Sequence, residues 1–144
     1  MARWQDIEDS APEFAAEVRR YFDARVHKTL ATLRADGSPR ISGTESYFKD
    51  GDLWFGSMSN ARKARDLRRD PRFALHSGST DPPDWEGDAK LSGLVEEIMD
   101  PERESHLFRA DIREASVVSL NEARNGLVIK LWRPDGHVRR IERE

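Results

Sequence analysis

Arg62 and Lys63 stand side by side just after Ser59-Asn60-Ala61, in a segment that reads as turn, strand, polar loop, short basic helix and second strand. The turn is Asp50-Gly51, the strand covers 53–55, and Pro71 stops the helix. Asp-Gly is the strongest short hairpin signal, because both central positions of a type I′ turn need φ > 0. Ser59 or Asn60 can cap the helix through a side-chain oxygen. Two cations in a first turn oppose the positive end of the helix dipole. A bound anion reverses that penalty, since free backbone N–H groups, hydroxyls and paired cations together make a phosphate site. The competing reading is that Arg62, Lys63, Arg65, Arg68 and Arg69 form only the solvated face of a charged helix.

The elements that would position this pair follow from the patterning. Residues 1–9 read as a loose arm. Ser10 and Glu13 make a capping-box pair around Pro12, and Phe14, Val18, Tyr21 or Phe22, and Val26 recur at helical spacing. Residues 28–34 alternate and favour β structure, Asp36-Gly37-Ser38-Pro39 turns, and residues 40–49 return. The middle of that returning strand, Ile41-Ser42-Gly43-Thr44-Glu45-Ser46, is small and polar where a core strand would carry Val and Ile. Glycine within a strand marks a bulge or close approach by a ligand or backbone; an exposed edge strand would show the same composition. Residues 72–77 form a fourth strand, 78–87 a loop, and 88–99 a long fifth strand. Asp100-Pro101 opens an expected helix carrying Leu107 and Phe108, followed by strands over 114–120, 127–132 and 137–141. Many short antiparallel strands with two or three helices predict a mainly β chain: a six- to seven-stranded antiparallel β-barrel with flanking helices.

Other chemistry is poorly supported. The 144 residues suit one domain over 1–144, and a formal net charge of -3 means no global attraction to nucleic acid. There is no cysteine, which excludes disulfides and thiol chemistry. No run is long enough to span a membrane and the N-terminus lacks the apolar core of a signal peptide, so a cytoplasmic location is expected. His27, His76, His106 and His137 are scattered, with no pair at metal-ligand spacing. His76, on a strand, reads as structural or pocket-lining. Ser42 and Ser57 have no sequence-visible general base, and no phosphate-loop or dinucleotide fingerprint occurs. Trp54, Trp85 and Trp132 are core aromatics or stacking platforms, and Asp81-Pro82-Pro83-Asp84-Trp85 is a surface loop or a lid.

The ordered set Leu30-Ala31-Thr32-Leu33, Asp36-Gly37-Ser38-Pro39, Asp50-Gly51, Phe55, Ala61-Arg62-Lys63-Ala64, Leu67 and Asp70-Pro71-Arg72 resembles the pyridoxamine 5′-phosphate oxidase-like superfamily, with Ala89-Lys90-Leu91-Ser92-Gly93 continuing the likeness. The resemblance implies a split β-barrel that binds FMN at a homodimer interface and moves hydride to or from a small organic substrate. Arg62 and Lys63 match the cationic pair on the cofactor phosphate. Gly56, Ser57 and Met58 match the strand end that touches phosphate and ribityl chain. Ser42, Gly43 and Thr44 match the strand along the isoalloxazine ring, and Lys90 matches a contact from the second subunit. The same pattern is similar to proteins that use the deazaflavin coenzyme F-420, and some relatives only carry flavin or haem. The chain's last segment, residues 132–144, does not match the substrate-gripping end of genuine pyridoxamine phosphate oxidases, so that activity is not expected.

Overall fold

A computed structural model describes all 144 residues. Its elements are α1 (Trp4–Ser10), α2 (Pro12–Asp23), β1 (His27–Leu33), β2 (Pro39–Lys49), β3 (Asp52–Ser57), α3 (Arg62–Arg69), β4 (Arg72–His76), β5 (Gly87–Glu97), β6 (His106–Leu120), β7 (Leu127–Trp132) and β8 (Val138–Arg143). All neighbouring strands pair antiparallel in the order β3-β2-β1-β4-β5-β6-β7-β8, and β3 also pairs with β6. That last pairing, Trp54 to Ser57 against Arg109 to His106, closes six strands into a barrel and leaves β7 and β8 as a two-strand extension. The mainly β split barrel expected from sequence is therefore present: six strands close it, within the expected six to seven, and β7 and β8 extend the sheet to eight.

Strand alternation fills the interior. Leu30, Leu53, Phe55, Phe73, Leu75, Ala89, Leu91, Phe108, Ala110 and Ile112 are all buried. Phe55 sits between Phe73 and Phe108, with ring centroids 5.5 and 5.9 Å away. Arg113 of β6 is an extra residue: Ser92 pairs with Glu114 while the adjacent Gly93 pairs with Ile112. The bulge moves the buried positions of β6 from Phe108, Ala110 and Ile112 to Ala115 and Val117. Gly93 is needed opposite it, because a Cβ there would stand 2.0 Å from the Asp111 carbonyl oxygen.

Four local expectations are corrected. The loose arm over 1–9 is instead largely helix α1, because Trp4 and Ile7 are buried and Trp4 packs 4.3 Å from Phe48. Asp6 accepts the Arg3 N–H, and the Arg3 guanidinium grips Asp52 at 2.9 and 3.0 Å. The Ser10–Glu13 capping box does not form. Ser10 ends α1, donating to the Asp6 carbonyl and accepting from Trp132 Nε1, and Ala11 takes the N-cap position. Ser59 and Asn60 do not cap α3; Ala61 stands there without a side-chain bond. The helix expected from Asp100 is a turn leading into β6, because Phe108, Ala110 and Ile112 alternate inward at strand period.

Candidate functional site

Helix α3 follows β3 after the loop 58–61 and packs against β1, and Lys63 of its first turn reaches the small polar stretch of β2. Lys63 donates from Nζ to the Gly43 carbonyl at 2.7 Å. Burial lowers its pKa, because the ammonium has lost water and gained only a neutral acceptor. A Cβ built on Gly43 would meet nothing within 4 Å, so the bare backbone faces open space. Gly43, Thr44, Gly56, Ser57, Met58 and Lys63 line one cavity of about 750 Å³. The Thr44 hydroxyl donates to the Gly56 carbonyl at 3.2 Å, tying β2 to β3 inside it. Ser57 Oγ is buried and has no hydrogen-bond partner. A buried hydroxyl without a partner costs about 1–3 kcal/mol, so this one favours a polar guest.

The opposite wall comes from the start of β6 and the preceding turn, through Arg103, Ser105, His106 and Leu107. Arg103 donates to the Ile98 carbonyl while its Nε is buried without a partner. His106 Nδ1 lies 2.6 Å from Glu97, whose carboxylate also takes two bonds from Arg68 at 2.8 and 3.0 Å. The Asn60 N–H donates to His106 Nε2 at 3.3 Å, so the proton sits on Nδ1, facing Glu97. Bonds from Arg68, and to a smaller extent from His106, hold the Glu97 carboxyl below its ordinary range against the opposing effect of burial. This chain fastens the loop before α3, where Asn60 takes φ 61, to the mouth of the barrel.

Three of the residues expected at the site lie elsewhere. Arg62 lines a neighbouring cleft of about 550 Å³ between α3 and the β1–β2 hairpin, with Arg34, Arg40, Arg65, Asp66 and Arg69. There Asp66 is buried and accepts from Thr32 at 2.8 Å, Arg40 at 2.7 Å and Arg69 at 3.0 Å. Burial pushes its carboxyl upward, and these three bonds outweigh that effect and hold it below the usual range. Lys90 lines a third cleft on the outer face of the barrel, with His76 and Glu114. Ser42 lines none of the three and is half-buried on β2. Sequence reasoning missed the arginine cleft and the Arg103–His106 wall. Arg62, Arg65, Asp66 and Arg69 do follow the i, i+3, i+4, i+7 spacing of one helix face, so that stripe was readable.

The Lys63 ammonium at the start of α3, the unpartnered Ser57 hydroxyl and the uncovered backbone of Gly43 share one cavity and fit a phosphate-bearing group with a flat ring. Lys63 and Ser57 are the residues of this cavity able to hold its phosphate, and Arg62 stands in the neighbouring cleft. No helix is long and apolar enough to cross a membrane.

The model of the family described as "Pyridoxamine 5′-phosphate oxidase" matches residues 14–132. No curated protein matches the chain in sequence. Among solved structures, the conserved hypothetical protein Rv2991 from Mycobacterium tuberculosis is 22% identical with a TM-score of 0.62, over 69% of this chain and 81% of its own. A heme binding protein from Mycobacterium smegmatis is 18% identical with a TM-score of 0.64, over 84% of this chain and 58% of its own. HutZ, the heme storage protein from Vibrio cholerae, is 15% identical with a TM-score of 0.54, over 65% of this chain and 86% of its own. At these identities the likeness is one of fold.

Proposed function

The chain belongs to the pyridoxamine 5′-phosphate oxidase family, and from that membership we propose that it is a flavin-dependent oxidoreductase binding FMN between two copies of itself. The observation that carries this reading is the cavity in which the desolvated Lys63 ammonium, the unpartnered Ser57 hydroxyl and the open backbone at Gly43 meet. When bound, the flavin supplies hydride chemistry to a small organic substrate, and the protein supplies binding, orientation and exclusion of water. In this proposal Arg62 and Lys63 hold the phosphate from either side of the α3 N-terminus, and Ser57 donates its hydroxyl. Gly56 and Met58 flank the ribityl chain. Gly43, with Ser42 and Thr44 on either side, lets the ring approach the β2 backbone, and Lys90 reaches the site from the second copy. The deazaflavin coenzyme F-420 presents a similar flat ring and a phosphate group and is the alternative guest.

A second reading is a carrier that binds haem or flavin without turnover. It is favoured by the haem binding and haem storage proteins among the structures of the same fold. Separate titrations with FMN, F-420 and haemin, followed by fluorescence or absorbance, divide these readings. Saturable FMN or F-420 binding, with turnover when a reductant and an electron acceptor are added, is the expected result. Haemin binding alone makes the chain a haem carrier. Flavin binding without turnover against any acceptor makes it a flavin carrier.

A further inference from the structure

Closing the barrel through β3 and β6 leaves the sheet one free margin, the outer side of β8. All six residues of β8 are exposed, so no helix or loop covers it. Beside it lies a cleft of about 810 Å³ between α2 and the β7–β8 hairpin. Pro12 and Phe14 stand on its helical side and Val138 and Arg140 on its strand side. Lys130 of β7 reaches Glu17 of α2 at 3.0 Å and fixes the hairpin to the helix. Lys130 pairs with Arg140 and Trp132 with Val138. By strand alternation Val138, Arg140 and Glu142 therefore face the cleft, and Arg139, Ile141 and Arg143 face away from it.

The strand is cationic, with three arginines against one glutamate. Arg143 makes no ion pair. Arg140 reaches only Glu142 of its own strand, at 3.8 Å, and Arg139 meets Asp135 of the preceding turn at 2.9 Å. Val138 and Ile141 supply one apolar side chain to each face.

This pattern discriminates between partners. A second β8 added about a two-fold axis must set residues of like face against each other. Centred on Ile141 it opposes Arg139 to Arg143 twice, and centred on Arg140 it opposes that residue to itself. Like charges directly opposite one another destabilise a strand pair. A strand with acids opposite the three arginines, apolar residues opposite Val138 and Ile141, and a neutral residue opposite Glu142 meets every position favourably.

We propose that β8 docks an extended acidic segment of another protein, added antiparallel as a further strand of the sheet. Backbone hydrogen bonds hold the segment, its acids face Arg139, Arg140 and Arg143, and the apolar side chain opposite Val138 enters the cleft beside α2. This surface shares no residue with the cofactor cavity, so the proposal stands apart from the flavin reading.

The probe is the hexapeptide Glu-Thr-Val-Glu-Asp-Val, titrated to millimolar concentration into the full chain and followed by backbone NMR and amide hydrogen exchange. A control of the same composition, Val-Glu-Glu-Thr-Val-Asp, sets no acid opposite an arginine in the same register. The first peptide should bind about tenfold more tightly than the control, the weight of three cross-strand charge pairs together. Its shifts should fall on β8 and the start of α2, and exchange of the β8 amides should slow. Arg140→Glu with Arg143→Glu should lose that peptide and bind Lys-Thr-Val-Lys-Asp-Val in its place, a gain that a merely damaged strand would not show. Equal affinity for peptide and control, binding of neither, shifts elsewhere, unchanged β8 exchange, or a variant that does not take the lysine peptide would overturn the proposal. Exchange in β8 that slows as the chain alone is concentrated also overturns it, because the strand then pairs with a second copy.

Discussion

On one side of α3 the buried Asp66 carboxylate gathers Arg40, Arg69 and Thr32, whereas on the other the Lys63 ammonium has only the Gly43 carbonyl and a nearby serine hydroxyl without a partner. Both sides are rich in polar groups, but their electrostatics differ. Around Asp66 each buried oxygen is occupied, and the cations are held to the barrel through it. Around Lys63 the charge is partly desolvated and no carboxylate compensates it. A paired cation cluster holds structure together, and an unpaired one awaits a ligand. Charge runs in a sequence look alike until the carboxylate that neutralises them is located.

Three variants press on this contrast. The largest effect is expected from Arg62→Ala with Lys63→Ala: cofactor affinity should fall by several kcal/mol, from about 1.5–3 kcal/mol per charge-assisted contact. The urea midpoint should move little, because neither side chain is held by a carboxylate. An unchanged flavin affinity would place the anion anchor elsewhere. Next comes Asp66→Asn, which should cost roughly 3 kcal/mol of folding stability, the low end for a broken buried pair, because Arg69 keeps contact with water. Its pH dependence has a definite sign. The native state holds the Asp66 carboxyl below its ordinary value of 3.8, so its contribution is complete above that pH and is lost as pH falls further. The acid-unfolding curve of the variant should therefore lack that component, and identical curves for both proteins would deny Asp66 its role. The smallest effect belongs to Gly43→Ala. The new methyl has open space, so stability should stay within about 0.5 kcal/mol. Flavin affinity should fall by about 1 kcal/mol, the low end for overpacking a contact. A Gly43→Ala protein that binds flavin as the parent does would move the ring off β2.

Much of the barrel was legible because its signals are local. The Asp50-Gly51 turn adopts φ of 53 and 78 as the dipeptide suggests, and β1 to β4 fall within a residue or two of their expected limits. The failures are non-local. Residues 1–9 lack the length for a clear helical period, and α1 exists because Trp4 and Ile7 find Phe48 and the core. His106 and Arg103 carry no motif, and they reach the cavity only because β6 pairs with β3 across some fifty residues of chain. The resemblance drew Arg62 and Lys63 together as one pair, yet successive residues of a helix point about 100° apart, and the two side chains line different cavities.

Closure through β3 and β6 leaves the outer side of β8 as the sheet's unpaired edge, and all six residues of that strand are exposed. Such an edge is a template on which another chain can add a strand. Here Arg139, Arg140, Glu142 and Arg143 occupy four of its six positions, with Val138 before them and Ile141 among them. Their ionic hydration opposes strand addition, so neutralising these four charges, far from the barrel's core, is expected to favour edge-to-edge association.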